Sequence, residues 1–184
     1  PCLTGDSYYR TDPHWRQDAL QPVVETLTSA MDVPLSWDLT AQDAGRFSGA
    51  YTGQSGLPLE PDRLRYLTGS ALESCTARDL EGEIPLYDWE KAQGRDPYEF
   101  FLSGASPIQV LENPAALSDR ELVVFRDSFG SSLAPLLAGS YRKITLIDLR
   151  YISSDLLESY VRFQEQDVLF LYSALIWNQS GTIR

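Results

Sequence analysis

His14 is the only histidine in this 184-residue chain, so any imidazole chemistry must pass through its ring. A metal site built from several histidines is thereby excluded. A serine-type triad needs only one imidazole, one carboxylate and one hydroxyl. Asp12 stands two residues before His14 in Thr11-Asp12-Pro13-His14-Trp15. A residue that precedes proline is biased towards extended backbone, where positions two apart face the same side, so the Asp12 carboxylate is within reach of His14 Nδ1. The same residues also read as a helix start, with Asp12 as N-cap and Pro13 at the first helical position. The helix that follows carries Leu20, Val23, Val24, Leu27 and Met31 on one face and is kinked or split by Pro22.

The hydroxyl is best sought just past a buried strand, because ligands of open α/β sheets bind at the carboxyl ends of the strands. Arg126-Asp127-Ser128-Phe129-Gly130 follows the apolar run Glu121 to Arg126. A serine on such a strand-to-helix turn presents its Oγ, and the N–H groups of the helix start are placed to stabilise an oxyanion. A plain N-cap role for Ser128 is the alternative. The next two strand ends supply Asp148-Leu149-Arg150-Tyr151 and Tyr172-Ser173. Arg150 and Tyr172 are candidate donors to a carbonyl oxygen or a sugar hydroxyl, and with Phe129 they form the candidate oxyanion or substrate-binding set. Against this, Arg150 can pair with Asp127 or Asp148 in a structural ion network, and Tyr172 can be a core aromatic.

These residues need a scaffold, and the C-terminal third supplies one. Glu121 to Arg126, Lys143 to Asp148 and Asp167 to Tyr172 read as strands. Between them, Ser131 to Ser140 and Ser153 to Gln164 have helical period, with Pro135 tolerated in the first turn of the former. Right-handed βαβαβ connections predict an α/β fold, a three-layer, flavodoxin-like arrangement around a parallel sheet. Residues 32–117, rich in Gly, Pro, Asp and aromatics, read as a long loop and hairpin insertion or cap within a single domain spanning 1–184.

Composition narrows the partners. With 43% hydrophobic and 22% charged residues the chain is an ordinary globular one, and its formal net charge of −11 opposes nucleic-acid binding. No apolar run approaches the about 18 residues of a transmembrane helix, so no integral membrane segment is expected. Cys2 and Cys75 can pair across a long loop if the protein is exported, the favoured reading, with free thiols as the alternative because they lack CxxC spacing. The chain opens on Pro1 without an initiator Met, consistent with an N-terminally truncated or processed protein.

Thr11-Asp12-Pro13-His14-Trp15, Arg126-Asp127-Ser128-Phe129 and Ile147-Asp148-Leu149-Arg150-Tyr151 together resemble the DHHW protein family, a bacterial group related to the SGNH-like acyltransferases that O-acetylate exopolysaccharides such as alginate. The likeness covers most of the chain, including Phe47-Ser48-Gly49-Ala50-Tyr51 and Asp96-Pro97-Tyr98-Glu99-Phe100-Phe101-Leu102. Pro13 departs from it, standing where the family usually has a second His. The resemblance implies an SGNH-hydrolase-like fold, a triad of Asp12, His14 and Ser128, and a site lined by Arg150 and Tyr172. The tripeptide Gly5-Asp6-Ser7 also spells the SGNH serine motif, but no apolar strand leads into it, so Ser7 is discounted.

The resulting expectation is acyl transfer on an O-acetylated carbohydrate or another acetyl ester, by an extracytoplasmic esterase or O-acetyltransferase. No cofactor and no metal are required, and an acetyl-donor membrane partner is compatible. A non-catalytic carbohydrate or cell-wall binding module using Tyr51, Tyr87 and Trp89 is the rival. A Mg²⁺ site on Asp127 and Asp148 ranks last.

Overall fold

A computed structural model describes residues 2–35, 37–55, 59–179 and 181. The strands are β1 (Thr40–Phe47), β2 (Asp62–Thr68), β3 (Thr76–Arg78), β4 (Glu83–Ile84), β5 (Ile108–Glu112), β6 (Glu121–Arg126), β7 (Lys143–Ile147) and β8 (Asp167–Leu171). The α-helices are α1 (Gln21–Ala30), α2 (Ala50–Ser55), α3 (Ser70–Glu73), α4 (Trp89–Ala92), α5 (Phe129–Leu137) and α6 (Ala174–Asn178). Among the described residues, β1 and β2 form an antiparallel hairpin, and the other strands form a six-stranded sheet ordered β4-β3-β5-β7-β6-β8.

The three strands expected from the C-terminal third are present and parallel, with β6 between β7 and β8. The steps from β6 to β7 and from β7 to β8 run in opposite directions across the sheet, so right-handed connections must lie on opposite faces. The core shows this division. Leu122, Val124, Ile144 and Leu146 pack with Leu133, Leu136 and Leu137 of α5 and Val24 of α1. Val123, Phe125 and Ile147 point the other way, against Ile152, Leu157 and Val161. Successive side chains of a strand alternate faces, which is why both sets are buried.

The sheet is mixed, a correction to the wholly parallel one expected. β5 runs antiparallel to β7, and β3 antiparallel to β5 and to β4. Only residues 113–120 join β5 to β6. That is too short for the crossover that parallel strands need, and an antiparallel β5 ends where β6 begins. Residues 32–117 thus hold both the β1–β2 hairpin and the three antiparallel strands of the main sheet.

Other boundaries also shift. The helix after β6 begins at Phe129 and not at Ser131, which leaves Pro135 in the helix interior and not in its first turn. The expected helix from Ser153 to Gln164 is a 3₁₀ turn over Ser154–Ser159 only. Its apolar residues are divided: Leu157 and Val161 are buried while Leu156, Tyr160 and Phe163 are exposed, so no single stripe holds a longer helix. No helix starts at Asp12–Pro13. α1 begins at Gln21 with Pro22 in its first turn, where proline's missing N–H has no helical acceptor to lose. Cys2 and Cys75 are free thiols, one exposed against Thr26 and the other in the core, so the expected pairing is absent. Among the described residues no helix is long and apolar enough to cross a membrane.

Candidate active site

β6 is the point at which the strand order reverses, and its carboxyl end opens the crevice where α/β sheets place their ligands. Ser128 follows that end at the N-cap position of α5, with helical φ −59° and ψ −22°. Its hydroxyl makes no capping bond. The adjacent carboxylate serves instead: Asp127 Oδ1 accepts from the Phe129 amide at 3.0 Å, and Oδ2 from the Ser173 amide at 2.7 Å. Ser128 Oγ therefore faces outward and lies 2.7 Å from His14 Nε2, across 114 positions of sequence.

His14 is held from several sides. Asp12 Oδ1 lies 2.6 Å from His14 Nδ1 and also accepts the His14 backbone N–H at 3.0 Å. The pair closes an Asx-type turn and not the extended segment expected. With the proton on Nδ1 donated to Asp12, Nε2 is left to accept from the Ser128 hydroxyl. Tyr98 stacks on the imidazole, ring centroids 3.7 Å apart and planes 8° apart, and Phe129 tilts against it at 4.7 Å. Tyr98 is fixed in turn by its hydroxyl, 2.8 Å from Ser132 Oγ in the second turn of α5, and the Trp15 indole N–H donates to the same oxygen at 2.9 Å.

Asp12 is placed just as firmly. Asp62 of β2 accepts from the Thr11 amide at 2.7 Å, the Thr11 hydroxyl at 2.6 Å and the Arg10 amide at 3.2 Å, which pins the loop to the hairpin. Gly49 fits against its other side: a Cβ there would come within 2.3 Å of Asp12 Cβ and 2.6 Å of the Thr11 carbonyl. Burial opposes ionisation of Asp12, but the hydrogen bonds and charge of His14 and the Ala50 amide outweigh it and hold the carboxyl below the usual carboxylate range. Asp12 is therefore an anion positioned to steady an imidazolium.

The remaining expected residues fall out unevenly. Phe129 lies beside the imidazole and lines an apolar groove of about 460 Å³ with Pro13, Trp15, Tyr51, Leu171 and Tyr172. Arg150 forms a bidentate pair with Asp148, Nε to Oδ1 at 2.9 Å and Nη2 to Oδ2 at 2.6 Å, the structural pairing weighed as its alternative. Tyr172 contributes its ring to the groove wall, while its buried hydroxyl has no hydrogen-bond partner among the described residues. Burial, together with Asp148 and Asp127, pushes that phenol up to about 12. Asp127 and Asp148, considered as a Mg²⁺ pair, spend their oxygens on amides and on Arg150. Ser7 Oγ accepts the Thr4 amide in a 3₁₀ capping box. Of the aromatics assigned to a binding module, Tyr87 turns inward, its hydroxyl donating to Leu67 O, and Trp89 packs on Tyr66 and Phe100.

Sequence reasoning missed Tyr98, Gly49, Asp62 and Ser132 as parts of the site. Tyr98 and Gly49 lie inside segments that carry the family likeness, so their motif context was a usable signal. Asp62 and Ser132 stand in no such motif, and only the fold brings them to the loop.

No family model matches the sequence, and no curated protein matches it. Among solved structures the chain is similar to a DHHW family protein from Eubacterium siraeum, at 20% identity and a TM-score of 0.71 over 97% of this chain and 61% of that one. It is also similar to Bacillus cereus PatB1 with a sulfonyl adduct, at 24% identity and a TM-score of 0.68 over 93% and 62% of the two chains. A second PatB1 structure gives 22% identity and a TM-score of 0.66 over 93% and 63%. The chain thus spans less than two thirds of the length of each of these structures, and over that span it has their mixed α/β fold.

Proposed function

We propose that the chain is the SGNH-like core of a DHHW-type serine esterase or O-acetyltransferase. Its substrate is an acetyl ester on an extracytoplasmic carbohydrate, and an acetyl-donor membrane partner fits the transferase form. The observation that carries this reading is the hydrogen-bond chain Asp12–His14–Ser128, with both contacts of His14 at 2.7 Å or less. Support comes also from the sulfonyl adduct of PatB1, because sulfonyl groups are electrophiles of the kind an activated hydroxyl attacks.

In the first half-reaction His14 Nε2 takes the Ser128 proton as Oγ bonds to the acetyl carbon. The carbonyl electrons move to oxygen, and the Ser128 N–H, which has no acceptor among the described residues, stabilises that charge at the N-terminus of α5. The tetrahedral species collapses, the ester C–O bond breaks, and His14 returns the proton to the leaving oxygen. In the second half-reaction a sugar hydroxyl or water gives its proton to His14 and attacks the acetyl-serine, and Ser128 leaves reprotonated. The apolar groove behind Phe129 accommodates the acyl methyl and its neighbours.

The test is p-nitrophenol release from p-nitrophenyl acetate together with mass spectrometry after phenylmethanesulfonyl fluoride. The wild type should give a burst and a single sulfonyl modification on Ser128, and Ser128→Ala neither. Undiminished release from Ser128→Ala would sink the proposal.

A further inference from the structure

A second groove of about 610 Å³ runs between the N-terminal segment and the β1–β2 hairpin. Arg10 and Arg16 line it from one side, and Arg46, Arg63 and Arg65 from the other. One third of the chain's fifteen basic residues thus face one depression of a molecule with net charge −11. Composition does not place them there, and the strand register costs stability. Arg46 and Arg63 are directly opposed cross-strand partners, an arrangement in which like charges repel.

Five local carboxylates match the five arginines in number, but they do not pair with every one. Asp6, Glu60 and Asp62 also line the groove. Asp62 is occupied by the Arg10 and Thr11 amides and the Thr11 hydroxyl, with Arg10 Nε only at 3.9 Å. Asp18 draws Arg16 and Arg65, and Asp43 draws Arg63 across the hairpin bulge. Arg46 has no partner among the described residues. Guanidinium forks held at several angles around one depression suit planar or tetrahedral oxyanions better than a neutral sugar.

Tyr8 lines this groove and also the apolar groove beside Phe129, so the two share a wall, and Arg10 lies two residues from Asp12. We infer that the arginine groove is a subsite for an anionic saccharide, whose carboxylate or phosphate groups seat on Arg46, Arg63 and Arg65 while a neighbouring unit reaches the Ser128 crevice. The last clause rests on the acyl-transfer reading; the binding itself does not.

Calorimetric titration of the Ser128→Ala chain separates the two. The probes are a short oligogalacturonate, a phosphate-esterified malto-oligosaccharide and a neutral cello-oligosaccharide of similar length. At least one anionic oligomer should bind, more weakly as salt rises, and the neutral one should not. Which anion binds tells carboxylate from phosphate. Arg46→Gln combined with Arg63→Gln, both exposed and checked for an unchanged melting temperature, should weaken binding about 10-fold or more, the size of a lost charge-assisted contact. Arg162→Gln, exposed outside the groove, should leave it unchanged. Equal binding of the neutral oligomer, no binding of either anion, or full binding by the double variant overturns the subsite. If the wild-type burst persists in that case, the triad stands alone. Binding without a burst removes the triad and leaves the groove.

Discussion

His14 makes three kinds of contact, and each constrains a different freedom: Asp12 sets the tautomer, Tyr98 the ring plane, and Ser128 the direction of Nε2. Asp12→Asn preserves the shape but removes the charge that fixes the Nδ1 proton. It should lower the acylation rate by about 10⁴-fold, read as burst rate with aryl acetate, while the fold persists. The same carboxyl makes stability depend on pH. Burial is outweighed by His14 and the Ala50 amide, so the folded pKa lies below the unfolded one. Its contribution is then fully present above about pH 4 and is lost as pH falls through the lowered folded value. Urea titrations should therefore show wild type and Asp12→Asn converging on acidification, and a gap that widened instead would contradict the assigned charge state.

The elements divide the labour between delivering the groups and clamping them. The β6–α5 turn delivers Ser128, with Asp127 doing the capping that would otherwise engage its hydroxyl. The hairpin clamps the histidine loop, through Asp62 at the start of β2 from one side and Gly49 in the connection between β1 and β2 from the other. Gly49→Ala is the sharpest probe of that clamp, because its Cβ would occupy space held by the Asp12 side chain and the Thr11 carbonyl. A displacement of Asp12 by about 1 Å is enough to cost on the order of 10²-fold in burst rate. The loss should greatly exceed that of Gly53→Ala, where a Cβ meets open space. Equal effects at the two glycines would show that the clamp does not position the triad.

At the scale of the whole molecule the N-terminal segment is locked into the fold by one fully buried amide. Gln17 Nε2 donates to Ser132 O at 2.8 Å, and its Oε1 accepts from the Leu67 amide at 2.8 Å and lies 3.2 Å from the Tyr87 hydroxyl. It thereby ties α5 to β2, and it touches the segment before α4. Gln17→Ala leaves the buried Leu67 amide without its partner and removes a bond from Ser132 O, at a cost of about 1–3 kcal/mol. Chemical denaturation should show a loss of that order or more, and the burst activity should disappear at the same denaturant concentration as the far-ultraviolet signal. Activity lost well before unfolding would mean that the histidine loop opens independently of the core.

The triad types, the three parallel strands and the strand-end position of Ser128 were legible in the sequence, because each depends on local signals: residue identity, apolar runs of strand length, and turn chemistry after a strand. The extent of the 3₁₀ segment at Ser154–Ser159 and the antiparallel β5 were not, since burial on one face or both depends on what packs there. Arg150 shows the same boundary. Its position at a strand end was readable, but its engagement with Asp148 is a matter of side-chain geometry. By itself the sequence determined that all imidazole chemistry belongs to His14, since no other histidine exists. Only the tertiary structure decided that the ring meets Ser128 rather than its own helix, because a contact across 114 residues is set by the packing of sheet, helix and loop.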